Sequence, residues 1–384
     1  MKTTKIFFQF YRNYKGAIIL SNGFSDAYSH CKNIGEFVWV NQDNPDYKIL
    51  GSSVSVVFVS CISCEQEIVV FNYARLHSDI QFIIGGPAVI NPFKYTREDF
   101  PENVIETKLS VEEYFNFSNF SGMWGIDVSS IKDIIKDKIV SFNYSIETKC
   151  YWGKCIFCKY CDKGGRIKTR YDLDIVHNSD ISCKLKQIRF STPGFNKTQM
   201  LKILPQFIYQ DDIKYDFFCR CDTFVPKMLD TMYESYKGKI PQIKFRLGIE
   251  FPTVNMLKFM NKGFTLQSIL NTLDATKRYN LETYTNFIVG WPNITPQDVI
   301  DVEMFVNETY GKLAHISIWR LYCPDDTTIH EMYKNQVEEY LYHEGFYKGY
   351  FPELSDKALQ LNKQAKNYFK LCSKIVNEPD KENI

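Results

Sequence analysis

No stretch of this chain approaches the roughly 18 consecutive apolar residues that a membrane-crossing helix needs, which argues against a protein of the bilayer. The apolar run at the N-terminus, Ile6-Phe7-Phe8, is broken by Gln9 and Arg12 and is too short for the core of a signal peptide. Charge of one sign is missing as well. Lys and Arg number 46 against 45 Asp and Glu, a net +1 with no basic tail, so net charge gives no support for a nucleic-acid partner. Neither an internal repeat nor a low-complexity segment is present, and 45% hydrophobic with 24% charged residues is ordinary for a globular chain. Cysteine, by contrast, is plentiful. Twelve cysteines in a chain of 384 residues without a secretory signal point to metal binding or catalysis before disulfides, and to a reducing cytoplasm.

The length suits two domains. Up to about residue 130, short apolar runs at 17–21, 37–41, 53–59 and 81–84 alternate with helix-compatible stretches, and the last runs into Gly85-Gly86-Pro87. Alternating strands and helices imply a parallel sheet with helices on its faces. Glycines at such a strand end, Gly85 and Gly86, let a cofactor approach the backbone or simply end the strand. A second series follows at 139–146, 187–191, 214–221, 244–250, 283–289 and 316–323, each separated from the next by room for one helix. Six such units fit a partial barrel with its site at the carboxyl ends of the strands. Beyond about residue 335 the pattern reads as helical and charged. The expected fold is therefore α/β. Residues 1–135 form a Rossmann-like domain, 136–335 a partial (β/α)6 barrel of TIM type, and 336–384 a helical extension.

The densest chemistry lies in Cys150-Tyr151-Trp152-Gly153-Lys154-Cys155-Ile156-Phe157-Cys158, with Cys161 just beyond. Zinc sites usually combine two separated ligand pairs. One loop bearing three thiols is better suited to three irons of a 4Fe–4S cluster, leaving the fourth iron open to a ligand. Cys161 reads as a neighbouring thiol rather than a ligand. Cys221, Glu250, Pro292 and Cys323 sit at other strand ends, converging on the same edge.

These residues resemble the radical S-adenosylmethionine (SAM) superfamily, and within it the branch with an N-terminal cobalamin-binding-type domain. Cys150, Cys155 and Cys158 match that superfamily's cluster loop, with Phe157 in its aromatic position; the first spacing is x4 where x3 is usual. Leu247-Gly248-Ile249-Glu250 is similar to its Gly-Ile-Glu segment, in which the Glu helps hold SAM. Gly290-Trp291-Pro292 is similar to its Gly-Phe-Pro segment along the adenine pocket, and Arg220 with Asp222 matches an Arg-x-Asp that faces SAM. The matches run in order over about residues 140–325.

The resemblance implies a cluster on Cys150, Cys155 and Cys158, with SAM on the open iron held by Phe157, Arg220, Glu250, Gly290 and Pro292. It also implies reductive cleavage of SAM to a 5′-deoxyadenosyl radical, and an external electron donor such as flavodoxin or ferredoxin. The leading reaction is cobalamin-dependent methylation of an unactivated carbon on a small-molecule or peptide substrate. One alternative is epimerisation or rearrangement without cobalamin, in which Cys323 or Cys221 donates a hydrogen atom. Another is a non-enzymatic metal-binding protein. The N-terminal region fits the branch less well. It lacks the Asp-x-His-x-x-Gly of many cobalamin proteins, and His30 and His77 stand in other settings, although some members bind cobalamin without that histidine.

Overall fold

The computed structural model of the chain describes residues 4–14, 17–20, 31, 33–61, 64–86, 100–109, 114–116, 139–144, 150–158, 185–195, 198, 201, 213–222, 226–324, 327–342, 347–372 and 376–377. Cys161 and Pro87 lie outside them. The chain divides into two compact units, 1–144 with 174–188 and 342–348, and the remainder.

The first unit is a sheet of β1 (Thr4–Tyr14), β2 (Ala17–Leu20), β3 (Glu36–Asn41), β4 (Val54–Ser60), β5 (Gln81–Gly85), β6 (Val104–Glu106) and β7 (Ile139–Tyr144), with helix α1 (Cys64–Leu76) between β4 and β5. The strand order is β7-β2-β1-β4-β5-β6, with β3 also on β1. Among the described residues these strands pair in parallel, except β1 with β2. Strand β1 escapes the sequence pattern because it is buried on both faces. Phe8 and Phe10 pack with Val57, Val59, Phe82, Val70 and Tyr73, while Phe7 packs with Phe37, Phe58 and Ile83 on the opposite side. A strand covered on both faces loses the apolar–polar alternation by which strands are usually recognised.

Strand β8 (Leu185–Phe195) divides between the units after Ile188, and the strands of the second unit continue in chain order with β9 (Lys214–Cys219), β10 (Gln242–Glu250), β11 (Glu282–Val289) and β12 (His315–Arg320). Between them lie α2 (Pro226–Ser235), α3 (Val254–Phe259), α4 (Leu266–Arg278) and α5 (Pro296–Thr309), followed by α6 (Thr328–Tyr333). The pairs β9–β10, β10–β11 and β11–β12 are parallel. Sequential parallel strands joined through helices have the connectivity of a (β/α) barrel.

The starts of α3, α4, α5 and α6 are each set by a threonine placed to accept a backbone N–H. Thr253 takes Met256, Thr265 takes Ser268, and Thr295 forms a full capping box with Asp298. On β10, Ile243, Phe245, Leu247 and Ile249 are buried, and the intervening Lys244, Arg246, Gly248 and Glu250 lie on the other face.

Two expectations need correction. Residues 336–384 are not simply helical: β13 (Val337–Tyr342) and β14 (Tyr347–Pro352) form a two-stranded sheet before helix α7 (Asp356–Leu371). A short β15 (Val376–Asn377) then extends the sheet beside β12. The helical reading of the tail holds for Asp356–Leu371 and fails for 337–352. Strands β9 and β12 also end earlier than the apolar runs indicate, at Cys219 and Arg320, so Cys221 and Cys323 lie past their strands. Strand alternation therefore does not relate Cys219 to Cys221.

Candidate active site

The cysteine loop is docked on the segment after α3. The Ile156 amide donates to Met260 O at 3.2 Å, and Ile329 N donates to Ile156 O at 3.0 Å. The Trp152 indole donates to Asn261 O at 2.7 Å, and the Asn261 amide returns a bond to Lys154 O at 2.9 Å. Asn261 (φ 54°) and Gly263 (φ 69°) are both left-handed, which turns the chain under the indole. A Cβ on Gly263 would stand 2.0 Å from Trp152 Cζ2. Gly263→Ala is accordingly expected to lower unfolding free energy by about 2 kcal/mol, through backbone strain and a displaced indole. Urea unfolding reads this, with Gly51→Ala, which meets nothing within 4 Å, as the unchanged control.

Cys155 is buried, and Cys150 and Cys158 are half-buried. Cys150 Sγ lies 3.3 Å from where a Cβ on Gly194 of β8 would be, so that glycine leaves space for the sulfur. Burial pushes the Cys155 thiol up, while Lys262 and Arg220 pull it down. Arg220 Nη1 is 3.9 Å from Cys155 Sγ. The guanidinium is held by Asp222 at 3.0 and 3.1 Å, by Lys262 O, and by the Trp152 and Phe264 rings at 4.8 and 5.0 Å. Tyr151 OH donates to the same Asp222 at 2.8 Å. The Arg-x-Asp pair thus fixes a cation beside a loop sulfur.

Lys262 has no motif of its own in the sequence, but the structure gives it a central place. It is buried, and its Nζ lies 3.5 Å from Glu250 Oε1 and over the Phe157 and Phe264 rings at 5.7 and 5.3 Å. Its spacing from Glu250 carries no periodic signal, because the two meet only when α3 folds back across the end of β10. Glu250 itself has φ 67°, a conformation that costs a non-glycine residue about 1–2 kcal/mol. Such strain at a strand end is a marker of functional positions. Burial raises the Glu250 carboxyl, and Lys262 opposes the rise.

The Gly290-Trp291-Pro292 segment joins the same region. Trp291 is buried, with Phe157 edge-on at 5.9 Å and Phe259 at 6.1 Å. Gly290 has φ 93°, and its amide and that of Trp291 both donate to Asn362 Oδ1 of α7, at 2.7 and 3.0 Å. Pro292 follows, half-buried. The second unit therefore brings the cysteine loop, Arg220, Glu250 and Gly290 together through shared contacts.

Cys221 and Cys323 are buried, and burial pushes both thiols up to about 12. Cys221 O accepts from Thr272 at 2.9 Å, and Cys323 N donates to Tyr350 O at 2.7 Å. In the first unit, Gly86 (φ 94°) has Cys61 O at 2.7 Å from its would-be Cβ, and Gly85 has Thr107 O at 3.2 Å. Close packing of strand ends thus accounts locally for both glycines.

Among the described residues, no three His, Cys, Asp or Glu side chains gather in a group able to hold a single metal ion. Ligands of one tetrahedral zinc would stand about 3.8 Å apart, from Zn–S bonds of about 2.3 Å. A cluster instead takes one thiolate per iron, which three thiols spread over one loop can provide. The donor set, with two cations beside it, fits such an anionic cluster.

No family model matches the chain. It is 26% identical to an uncharacterized methyltransferase, PH0819, of Pyrococcus horikoshii over 155 residues, 38% of this chain and 32% of that protein. Among solved structures it is similar to the cobalamin-dependent SAM radical enzyme OxsB with aqua-cobalamin and SAM bound. That match has TM-score 0.67 at 11% identity, over 95% of this chain and 66% of that one. It is also similar to the radical SAM methyltransferase TsrM of Kitasatospora setae with tryptophan and a SAM analogue bound, TM-score 0.64 at 11% identity, over 100% and 92%. The chain thus spans about a third of the curated relative and about two thirds of OxsB. In its backbone architecture, the chain has the fold of the cobalamin-dependent radical SAM enzymes.

Proposed function

We propose that this chain is a radical SAM enzyme that transfers a methyl group to an unactivated carbon, with cobalamin as methyl carrier. The observation that carries the reading is the joining of the three-thiol loop to Glu250 and Trp291 through Lys262 and Phe157. Cys150, Cys155 and Cys158 would hold a 4Fe–4S cluster, which when bound supplies the electron for SAM cleavage. Arg220 and Lys262 offset the negative charge of the thiolates. Glu250 offers its carboxylate to the SAM ammonium, and the aromatic surface of half-buried Phe157 and buried Trp291 excludes water from the reacting groups. The cobalamin part is supported by the fold of the first unit together with OxsB, whose structure holds aqua-cobalamin.

Anaerobic reconstitution with cobalamin supplied tests this reading. Near one cobalamin per chain and a methyl mass gain in product support it, and a loaded cluster with no bound cobalamin would sink it. Glu250→Gln is expected to weaken SAM binding at least tenfold, about 1.4 kcal/mol, with iron content unchanged. Equilibrium dialysis with labelled SAM reads the difference.

Cobalamin-free hydrogen transfer is the second reading, favoured by one observation: Cys221 and Cys323 are buried thiols that retain their S–H hydrogen. Turnover in deuterated water separates the two, since a thiol donor leaves deuterium on the product carbon. The substrate is then a small molecule or a peptide, and the electron donor a flavodoxin or ferredoxin. No helix among the described residues is long and apolar enough to cross a membrane.

A further inference from the structure

The strand face that carries Arg220 and Gly248 also carries charged side chains that the chemistry above leaves unused. Asp216 of β9 has a fully buried side chain. It accepts from Arg246 Nε at 2.7 Å and Nη2 at 2.9 Å, and from Arg189 Nε at 3.3 Å. Lys244 stands 3.9 Å from the same carboxylate, beyond hydrogen-bond reach, with its ammonium over the Tyr284 ring at 3.7 Å. Tyr284 donates to Glu282 at 3.1 Å and stacks on His315 at 4.4 Å, and Glu282 also accepts from Lys214 at 2.6 Å.

Among the described residues, Arg246, Lys244 and Lys214 share two carboxylates, Asp216 and Glu282, so one positive charge is in excess, and Lys244 is the cation held at the longest distance. Its side chain is only 12% exposed. An ammonium so largely withdrawn from water costs free energy unless an anion meets it. Burial depresses Lys244 to about 8 even though Asp216 works the other way. A barrel interior is ordinarily filled by branched apolar side chains, and a row of cations there calls for a reason.

The location supplies one. Register sets Lys244 beside Asp216 and Glu282, and Arg246 beside Tyr284. Alternation puts both cations on the face of Gly248, whose Cβ position lies 3.1 Å from Glu250 Oε1 and 3.5 Å from Lys262 Nζ. The opposite face is taken by helices, with Phe287 stacked on Phe369 at 4.0 Å. At about 3.3 Å per residue, Arg246 lies roughly 7 Å and Lys244 roughly 13 Å back along β10 from Gly248. We infer that Lys244, beside the Asp216-bound Arg246, binds an anionic group of the substrate, a carboxylate or a phosphate, leaving its other end beside Glu250. That the bound molecule is the substrate rests on the radical SAM reading; the anion site itself does not.

Acylation footprinting of the full-length protein tests this. Lys244 is labelled with acetic anhydride, with and without inorganic phosphate or succinate at constant ionic strength, and quantified by peptide mass spectrometry. One of the two anions is expected to slow Lys244 labelling at least tenfold and saturably, while the exposed Lys227 is unaffected. Protection by phosphate identifies a phosphorylated substrate, and protection by succinate a carboxylate. Labelling of Lys244 that neither anion slows overturns the site, and because wild-type protein is used, no misfolded variant can obscure that result. The same protection in Cys150→Ala protein is expected, and it separates the anion site from any failure of the cluster reading. Arg246→Lys, which keeps the charge but loses the fork on Asp216 and so leaves that carboxylate to compete for Lys244, is expected to weaken the protecting anion about threefold to tenfold.

Discussion

Cys155→Ala protein reconstituted anaerobically is expected to retain almost no iron, whereas the wild-type chain takes up about four irons and four sulfides. Cys155 is the most enclosed of the three thiols, with Arg220 at 3.9 Å and Lys262 nearby. The other two flank it on one short loop, so its loss leaves two thiolates, fewer than a stable cluster with an open iron requires. Cys150→Ala and Cys158→Ala are expected to behave alike, and SAM cleavage should fall to background in all three. Iron and sulfide analysis with quantified 5′-deoxyadenosine checks this. Wild-type protein that takes up zinc in a fixed ratio but no sulfide would overturn the cluster assignment and favour a plain metal-binding protein. The same measurement on Cys161→Ala assigns that thiol, for which full iron content is the expected result.

The second large effect is structural. Asn362→Ala is expected to lower stability by about 4 kcal/mol. Asn362 is fully buried on α7, and its Oδ1 takes the Gly290 and Trp291 amides while its Nδ2 donates to Trp291 O at 2.9 Å and Ala358 O at 2.8 Å. Removing the side chain leaves two backbone donors and one acceptor unpaired in the interior, at about 1–3 kcal/mol each before relaxation. These amides hold Gly290 at φ 93° and seat Trp291 against Phe157. Loss of stability should therefore come with weaker SAM binding. Denaturant midpoints together with SAM dialysis check both. Asn362→Asp keeps the acceptor and is expected to recover part of the loss. An unchanged midpoint in the alanine variant would show that the C-terminal helix does not support this strand end.

Much of the second unit was legible beforehand because its apolar strand runs recur in order, each separated from the next by room for one helix. The three loop cysteines were legible because they are adjacent in sequence. Strand β1, buried on both faces, gave no such pattern, and the paired strands β13 and β14 lie within the tail whose helical reading only Asp356–Leu371 bears out. The carboxyl end of β9 was misplaced by two residues, because Cys219 and Cys221 look alike in a run of apolar residues but only the first is in the strand.

Lys262 and Asn362 marked the other limit. Each sits on a helical segment or turn with no motif of its own, and each acts on a partner 12 or about 70 residues away. The sequence by itself determined the donor types: three thiols on one loop, an acid after β10, a glycine and aromatic after β11. Those are local choices, fixed by covalent order and spacing. Only the tertiary structure decided that Lys262 bridges the acid and the loop, that α7 clamps the glycine, and that Lys244 and Arg246 share a face with them. Those pairings depend on which surfaces the packing of helices on sheet brings within a few ångströms, and no short stretch of chain encodes that.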